Sequence, residues 1–155
     1  VERDTNTHNA IVSACEKGRE WAQALHFFRE MTNRCAEADT VTYSAVVSAC
    51  EKGGEWVKAL QIFREMAERD VERNIITFGA ATSACEKSGE WTQALQLCRE
   101  MVDGHVERDT ISCNALLSAC EKGGEWRRAV LVFSDMVNNI VERNTITYSA
   151  AASAC

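Results

Sequence analysis

The sequence predicts an all-α solenoid, a stack of antiparallel helix hairpins. Three observations carry that prediction. The segment Ser48-Ala49-Cys50-Glu51-Lys52-Gly53-Gly54-Glu55-Trp56 recurs with small changes from Ser13, Ser83 and Ser118, and starts again at Ser153. Trp21, Trp56, Trp91 and Trp126 keep a constant step of 35 residues, as do Cys15, Cys50, Cys85, Cys120 and Cys155. Each period holds two apolar stripes of helical spacing separated by a glycine stop. Helices shorter than roughly 12–15 residues are marginal alone in water. One hairpin cannot cover both its apolar faces, so neighbouring hairpins must stack into a continuous core.

The whole chain, 1–155, reads as one repeat array. Residues 1–4 are the tail of a preceding repeat, full repeats run over 5–39, 40–74, 75–109 and 110–144, and 145–155 opens another. On this reading the chain is an excerpt of a longer array, with further repeats at both ends. In the unit 40–74 the first helix is expected from about Thr42 to Lys52. Tyr43, Val46, Val47 and Cys50 form its apolar stripe. Thr42 is the expected N-cap, with Thr7, Thr77, Ser112 and Thr147 as its counterparts. Gly53-Gly54 stops the helix; Arg19 and Ser88 each replace one glycine of this pair, so a single glycine should suffice.

The second helix is expected from Glu55 to Glu68 or Arg69, with an acid at its positive end. Trp56, Ala59, Leu60, Phe63 and Met66 make its buried stripe. Ala59 recurs as Ala24, Ala94 and Ala129, a small residue that lets helices approach closely. Residues 70–74 turn the chain into the next repeat, with Val71 as anchor. The last helix, from Thr147 to Cys155, has no partner hairpin in the sequence.

Composition narrows the function. Hydrophobic residues make up 46% and charged residues 26%, as in folded soluble domains. No apolar run approaches the roughly 20 residues of a membrane span. The eight cysteines contain no C-x-x-C pair, so they read as buried thiols filling helix interfaces in a reducing compartment rather than as a metal or disulfide framework. His8, His26 and His105 occupy unrelated repeat positions. No nucleophile–base arrangement or phosphate loop is present, so no enzyme, no metal site and no cofactor are expected.

The net charge of −6 counts against nucleic-acid binding, which rests on Lys and Arg neutralising phosphates. Where the charge lies matters more than its sum. The first helix has a second row, Val41, Ser44, Ser48 and Lys52, on one face and without an acid. Its counterparts are Asn6, Asn9, Ser13 and Lys17; Ile76, Gly79, Ser83 and Lys87; and Ile111, Asn114, Ser118 and Lys122. Glu16, Glu51, Glu86 and Glu121 point about 100° away on the same helix. Within a nearly constant frame, the small position Asn9, Ser44, Gly79 and Asn114 varies. So does the last residue of each repeat, Asp39, Asn74, Asp109 and Asn144. A variable pair of small polar groups is what a reader of base edges needs, because Asn and Ser donate and accept while ionised Asp only accepts.

The unit Thr42-Tyr43-Ser44-Ala45-Val46-Val47-Ser48, Lys52-Gly53-Gly54 and Ala59-Leu60-Gln61-Ile62-Phe63-Arg64-Glu65-Met66 resembles the pentatricopeptide repeat over the whole chain. The resemblance implies a right-handed superhelix that binds single-stranded RNA, one base per repeat. It implies that Asn9 with Asp39 reads U, Ser44 with Asn74 reads A, Gly79 with Asp109 reads G, and Asn114 with Asn144 reads C with U tolerated. The implied site is 5′-UAGC-3′, or U in the last place. Asn6, Val41, Ile76 and Ile111 would sandwich the bases, and Lys17, Lys52, Lys87 and Lys122 would face phosphates. The family's proline before the last residue is replaced by Ala38, Arg73, Arg108 and Arg143. His8 and Cys113 stand where it has an aromatic residue. The implied setting is RNA processing, stability, editing or translation in mitochondria or plastids. The alternative reading is a helical scaffold for protein partners, as in tetratricopeptide arrays.

Overall fold

The structure is a computed structural model that describes residues 2–33, 38–104, 106, 110–138 and 143–154. Among the described residues there are nine helices and no strand: α1 (Glu2–Gly18), α2 (Trp21–Asn33), α3 (Thr40–Lys52), α4 (Trp56–Glu68), α5 (Ile75–Lys87), α6 (Trp91–Asp103), α7 (Thr110–Lys122), α8 (Trp126–Asn138) and α9 (Thr145–Ala154). The 35-residue step is therefore a helix pair, as the periodicity predicts. Two compact units divide the chain, Val1–Ala84 and Cys85–Cys155.

The first helices start earlier than expected, and the cap is a different residue. Asp39, not Thr42, is the N-cap of α3, and its carboxylate accepts from the Thr42 backbone N–H at 2.8 Å. Asn74 takes the same part for α5, accepting from the Thr77 N–H at 3.0 Å, and Asn144 for α9, accepting from the Thr147 N–H at 3.1 Å. The threonines fall three residues inside the cap, where an orphan N–H needs a side-chain acceptor. The first, second and fourth repeats thus cap the next first helix with their last residue.

The helix stop is tight. The Glu55 N–H donates back to the Cys50 carbonyl at 2.9 Å across the two glycines. The second glycine carries the left-handed conformation, with φ +78° at Gly54; Arg19 holds the same position in the first repeat at φ 59°. The first glycine answers a different need. A Cβ on Gly53 would lie 2.2 Å from Trp21 Cδ1, and one on Gly123 would lie 2.0 Å from Trp91 Cδ1. The indole of one repeat lies against the stop of the next. Trp21 and Trp91 are half-buried, and Trp126 is exposed, so the tryptophans are less deeply buried than the stripe predicts. The outer faces of two of them meet cations of the next second helix: Lys58 Nζ lies 3.8 Å from the Trp21 ring centre and the Arg128 guanidinium 4.5 Å from that of Trp91.

In the first unit α1 packs on α2 and α3, and α3 also on α4. Its core holds Phe28, Met31, Tyr43, Val46, Ile62, Phe63, Met66 and Phe78, with Ala24 and Ala59 fully buried between helices. Edge-to-face aromatic pairs join consecutive repeats, Phe28 with Tyr43 at 4.9 Å and Phe63 with Phe78 at 4.8 Å. The Arg73 guanidinium covers both rings of the second pair at 5.0 and 5.4 Å.

In the second unit α7 packs on α6, α8 and α9, and Phe133 pairs with Tyr148 at 5.5 Å. Cys98 and Cys113 occupy the positions of the aromatic pair between the third and fourth repeats, and both are buried. A groove of about 430 Å³ opens there, lined by Leu95, Cys98, Leu116, Leu131 and Val132. Cys50, Cys85 and Cys120 are buried and in no disulfide, as expected of interface fillers. Burial pushes the Cys50 thiol up to about 11, which keeps it protonated and unreactive.

Candidate nucleic-acid interface

The variable polar pair forms one hydrogen-bonded unit, and it includes a third residue. Asn9 Nδ2 lies 3.5 Å from both carboxylate oxygens of Asp39. The Thr42 hydroxyl, which is fully buried, meets Asp39 Oδ1 at 2.7 Å and also meets Asn9 Oδ1. Burial alone would raise the Asp39 pKa. The hydrogen bonds from the Thr42 backbone, the Thr42 hydroxyl and the Asn9 amide outweigh it and hold the carboxyl below its ordinary value. Asp39 is therefore an ionised acceptor at neutral pH.

The fourth repeat has the same wiring. Asn114 Nδ2 donates to Asn144 Oδ1 at 3.2 Å, and the Thr147 hydroxyl donates to Asn114 Oδ1 at 2.6 Å. In the second repeat the Thr77 hydroxyl meets Asn74 Oδ1 at 2.8 Å and Ser44 Oγ at 2.9 Å. Ser44 also donates to the Thr40 carbonyl at 2.6 Å and is only 8% exposed, so it touches Asn74 through Thr77 rather than directly. Gly79 brings no side chain. Its expected partner Asp109, like the Asn6 side chain, lies outside the described residues.

Capping decides what the last residue of a repeat can offer. A backbone N–H can be accepted only by oxygen, so Asn74 and Asn144 must turn Oδ1 toward the helix. Their Nδ2 groups are left out of the cap and can donate outward. Asp39 has no N–H to offer, and its Oδ2, outside the cap and 3.5 Å from Asn9 Nδ2, can only accept. The same cap thus presents opposite hydrogen-bonding character according to one atom.

An exposed aliphatic residue recurs at one register of the first helices. Val41 is 61% exposed, Ile76 63% and Ile111 69%. Ile146 is 63% exposed at the same register in α9; the sequence reading stopped one repeat short of it. Exposed β-branched side chains at one helical position serve no core.

The lysines are less free than the row suggests. Lys52 Nζ pairs with Glu16 Oε1 at 2.7 Å, and Lys122 Nζ with Glu86 Oε1 at 2.7 Å. Those carboxylates also accept from Ser48 Oγ at 2.9 Å and Ser118 Oγ at 2.8 Å, and Glu51 accepts from Ser83 Oγ at 3.0 Å. The acid is absent from each helix's own row, as expected, but arrives from the preceding repeat. Lys17 makes no such pair among the described residues; Lys87 is engaged in contacts of its own.

Residues 108–155 match the family described as PPR repeat family, and residues 7–35, 41–71 and 76–106 match the PPR repeat. Curated proteins provide no match. Among solved structures, the PPR domain of Arabidopsis thaliana protein-only RNase P 1, in complex with tRNA, is similar with a TM-score of 0.89 at 16% identity, over 97% of this chain and 80% of that one. The pentatricopeptide repeat protein PPR10, in complex with an 18-nt psaJ RNA element, is similar with a TM-score of 0.79 at 21% identity, over 97% of this chain and 22% of that one. Nuclear proteinaceous RNase P 2 from A. thaliana is similar with a TM-score of 0.87 at 12% identity, over 97% and 34%. At these identities the likeness is one of fold, an all-α solenoid of helix hairpins. With repeat matches spread from residue 7 to residue 155, the chain belongs to the PPR repeat family.

Proposed function

We propose that this chain binds single-stranded RNA, one base per repeat of the array 5–39, 40–74, 75–109 and 110–144, and does so without catalysis. The observation that carries the reading is an exposed aliphatic residue at one register of the second, third and fourth repeats beside hydrogen-bonded polar units in the first, second and fourth. Val41, Ile76 and Ile111, with Asn6 at the first repeat, would lie against base faces. Asn9 and Asp39, Ser44 and Asn74, Gly79 and Asp109, and Asn114 and Asn144 would meet base edges. Capping gives the expected code a physical basis. An outward acceptor on Asp39 suits U, whose pairing edge offers an N–H. An outward donor on Asn74 or Asn144 suits A or C, whose edges offer a ring nitrogen acceptor. Asp109 would select G by the same logic as Asp39. The reading is 5′-UAGC-3′, with U tolerated last. Lys17, Lys52, Lys87 and Lys122 would meet phosphates after release from their acids.

Two of the similar structures were solved with RNA bound, a tRNA and a psaJ element. The reading extends to occupancy of a transcript in processing, stability, editing or translation, in a mitochondrion or plastid, with further repeats supplied by the parent chain. The paired lysines and the net charge of −6 favour one rival, a scaffold for protein partners. Binding of the chain to short single-stranded RNAs at two salt concentrations separates them. Salt-sensitive preference for UAGC over UGAC is expected. Binding without preference would discard the code, and no binding would leave the scaffold.

A further inference from the structure

The threonine of the following repeat belongs to the reading unit, and we infer that Thr42 and Thr147 are specificity-positioning residues for the bases met by the first and fourth repeats. This rests on the RNA reading above and adds a component to it. The Thr147 N–H holds Asn144 Oδ1 at 3.1 Å, as any residue's backbone would. Its hydroxyl does something that depends on the side chain. It donates to Asn114 Oδ1 at 2.6 Å, shorter than its 3.1 Å contact with Asn144 Oδ1, so its single proton goes to Asn114. That bond turns Asn114 Nδ2 toward Asn144 Oδ1, at 3.2 Å. Without the hydroxyl, only the bond from Nδ2 to Asn144 Oδ1 still orients the Asn114 amide; its Oδ1 loses its donor, and the flipped form, which exchanges donor for acceptor, becomes easier to reach. Thr42 meets Asn9 Oδ1 and Asp39 Oδ1 with the same atoms.

The consequence for base choice is specific. Asn74 and Asn144 end the second and fourth repeats alike, so neither distinguishes A from C. That distinction falls to the first reader, Ser44 against Asn114, and therefore to whatever orients it. The functional unit is then offset from the repeat. It runs from the first reader of one repeat to the third residue of the next first helix, and a repeat is incomplete as a reader until α3 or α9 supplies its threonine.

The test uses the full chain and RNAs differing only at the fourth base. Thr147→Val keeps the shape and the backbone cap and removes the hydroxyl. The preference for C over A at the fourth base should fall by roughly threefold to tenfold, the range of one net hydrogen bond, while the preference of A over G at the second base stays unchanged. Thr147→Ser should restore the fourth-base preference. Because each preference is a ratio on one protein, partial unfolding cancels. Thr42→Val with U against G at the first base provides the same measurement away from the end of the chain. Retention of the fourth-base and first-base preferences in the valine variants would overturn the inference alone. Absence of any base preference in the unaltered chain would discard the base code and the inference with it, and absence of RNA binding would overturn the RNA reading itself.

Discussion

At the scale of single residues, the capping side chain that ends a repeat is also the proposed base reader. Asn74 caps α5 through Oδ1, which leaves Nδ2 out of the cap. Asn74→Asp keeps the cap and replaces the outward donor by an acceptor. The preference at the second base should move from A toward G by about 1 kcal/mol or more; an unchanged A:G binding ratio would remove Asn74 from base reading. The sequence singles out position 74 as a candidate reader but assigns the cap to Thr77, whereas Asn74 is the cap. Both residue types cap well, and no within-helix periodicity says which of them stands outside the first turn. Arg19 poses a residue-scale problem of a different kind. It sits at φ 59° where Gly54, Gly89 and Gly124 sit at +78°, +72° and +68°. The left-handed region costs a residue with a Cβ about 1–2 kcal/mol, part of which glycine gives back as chain entropy. Arg19→Gly should therefore stabilise the chain by about 1 kcal/mol, read as a higher denaturant midpoint at constant slope. A lower midpoint would mean that the arginine side chain holds that turn.

At the scale of elements, the contacts that matter join one repeat to the next. Glu16 reaches Ser48 and Lys52, and Glu86 reaches Ser118 and Lys122, at separations of 32 and 36 residues. Helical periodicity describes separations of three and four, so it correctly placed the glutamates off the lysine row and was silent about the neighbouring helix. These pairs are half-exposed and contribute little to stability. Glu16→Gln with Glu86→Gln keeps an acceptor for each serine and frees two ammonium groups. Melting should change little, while RNA binding tightens and its logarithmic salt slope steepens by about 0.7 for each lysine that gains a phosphate. An unchanged slope would take Lys52 and Lys122 out of the interface. The aromatic steps Phe28–Tyr43, Phe63–Phe78 and Phe133–Tyr148 are the apolar counterpart of this pairing. Cys98 and Cys113 replace both partners of one step together, beside the groove lined by Leu95 and Leu131. Restoring both rings as Cys98→Phe with Cys113→Tyr should show favourable coupling of about 0.5–1.5 kcal/mol in a double-mutant cycle. Zero coupling would mean that the helices there are spaced for small side chains.

At the scale of the whole molecule, the sequence revealed most where a feature repeats. The 35-residue step set the helix pairs, the alanines at the close contacts and the exposed row Val41, Ile76 and Ile111, because each is a property of one helix face repeated without a slip. What stayed hidden is whatever one repeat does to the next: the indole of Trp21 against Gly53, the caps, and the acids that hold the lysines. The last of these bears on how a chain of net charge −6 could hold an anionic polymer. The first helices offer four lysines in the candidate row, Lys17, Lys52, Lys87 and Lys122. If all four met phosphates, the logarithmic salt slope for single-stranded RNA would be about 3 in magnitude. Lys52 and Lys122 must first leave Glu16 and Glu86, which lowers the expected slope toward about half that value. Affinity would then rest mainly on base contacts, on the aliphatic row and the capped pairs, and would depend on sequence more than on salt. A titration of UAGC-containing RNA across salt concentrations decides the point. A slope of magnitude well under 3, with base preference kept at high salt, fits a surface that reads bases first. A steeper slope would require more cations than the candidate lysine row provides, and would point to the arginine-bearing second helices, away from every residue proposed to meet a base.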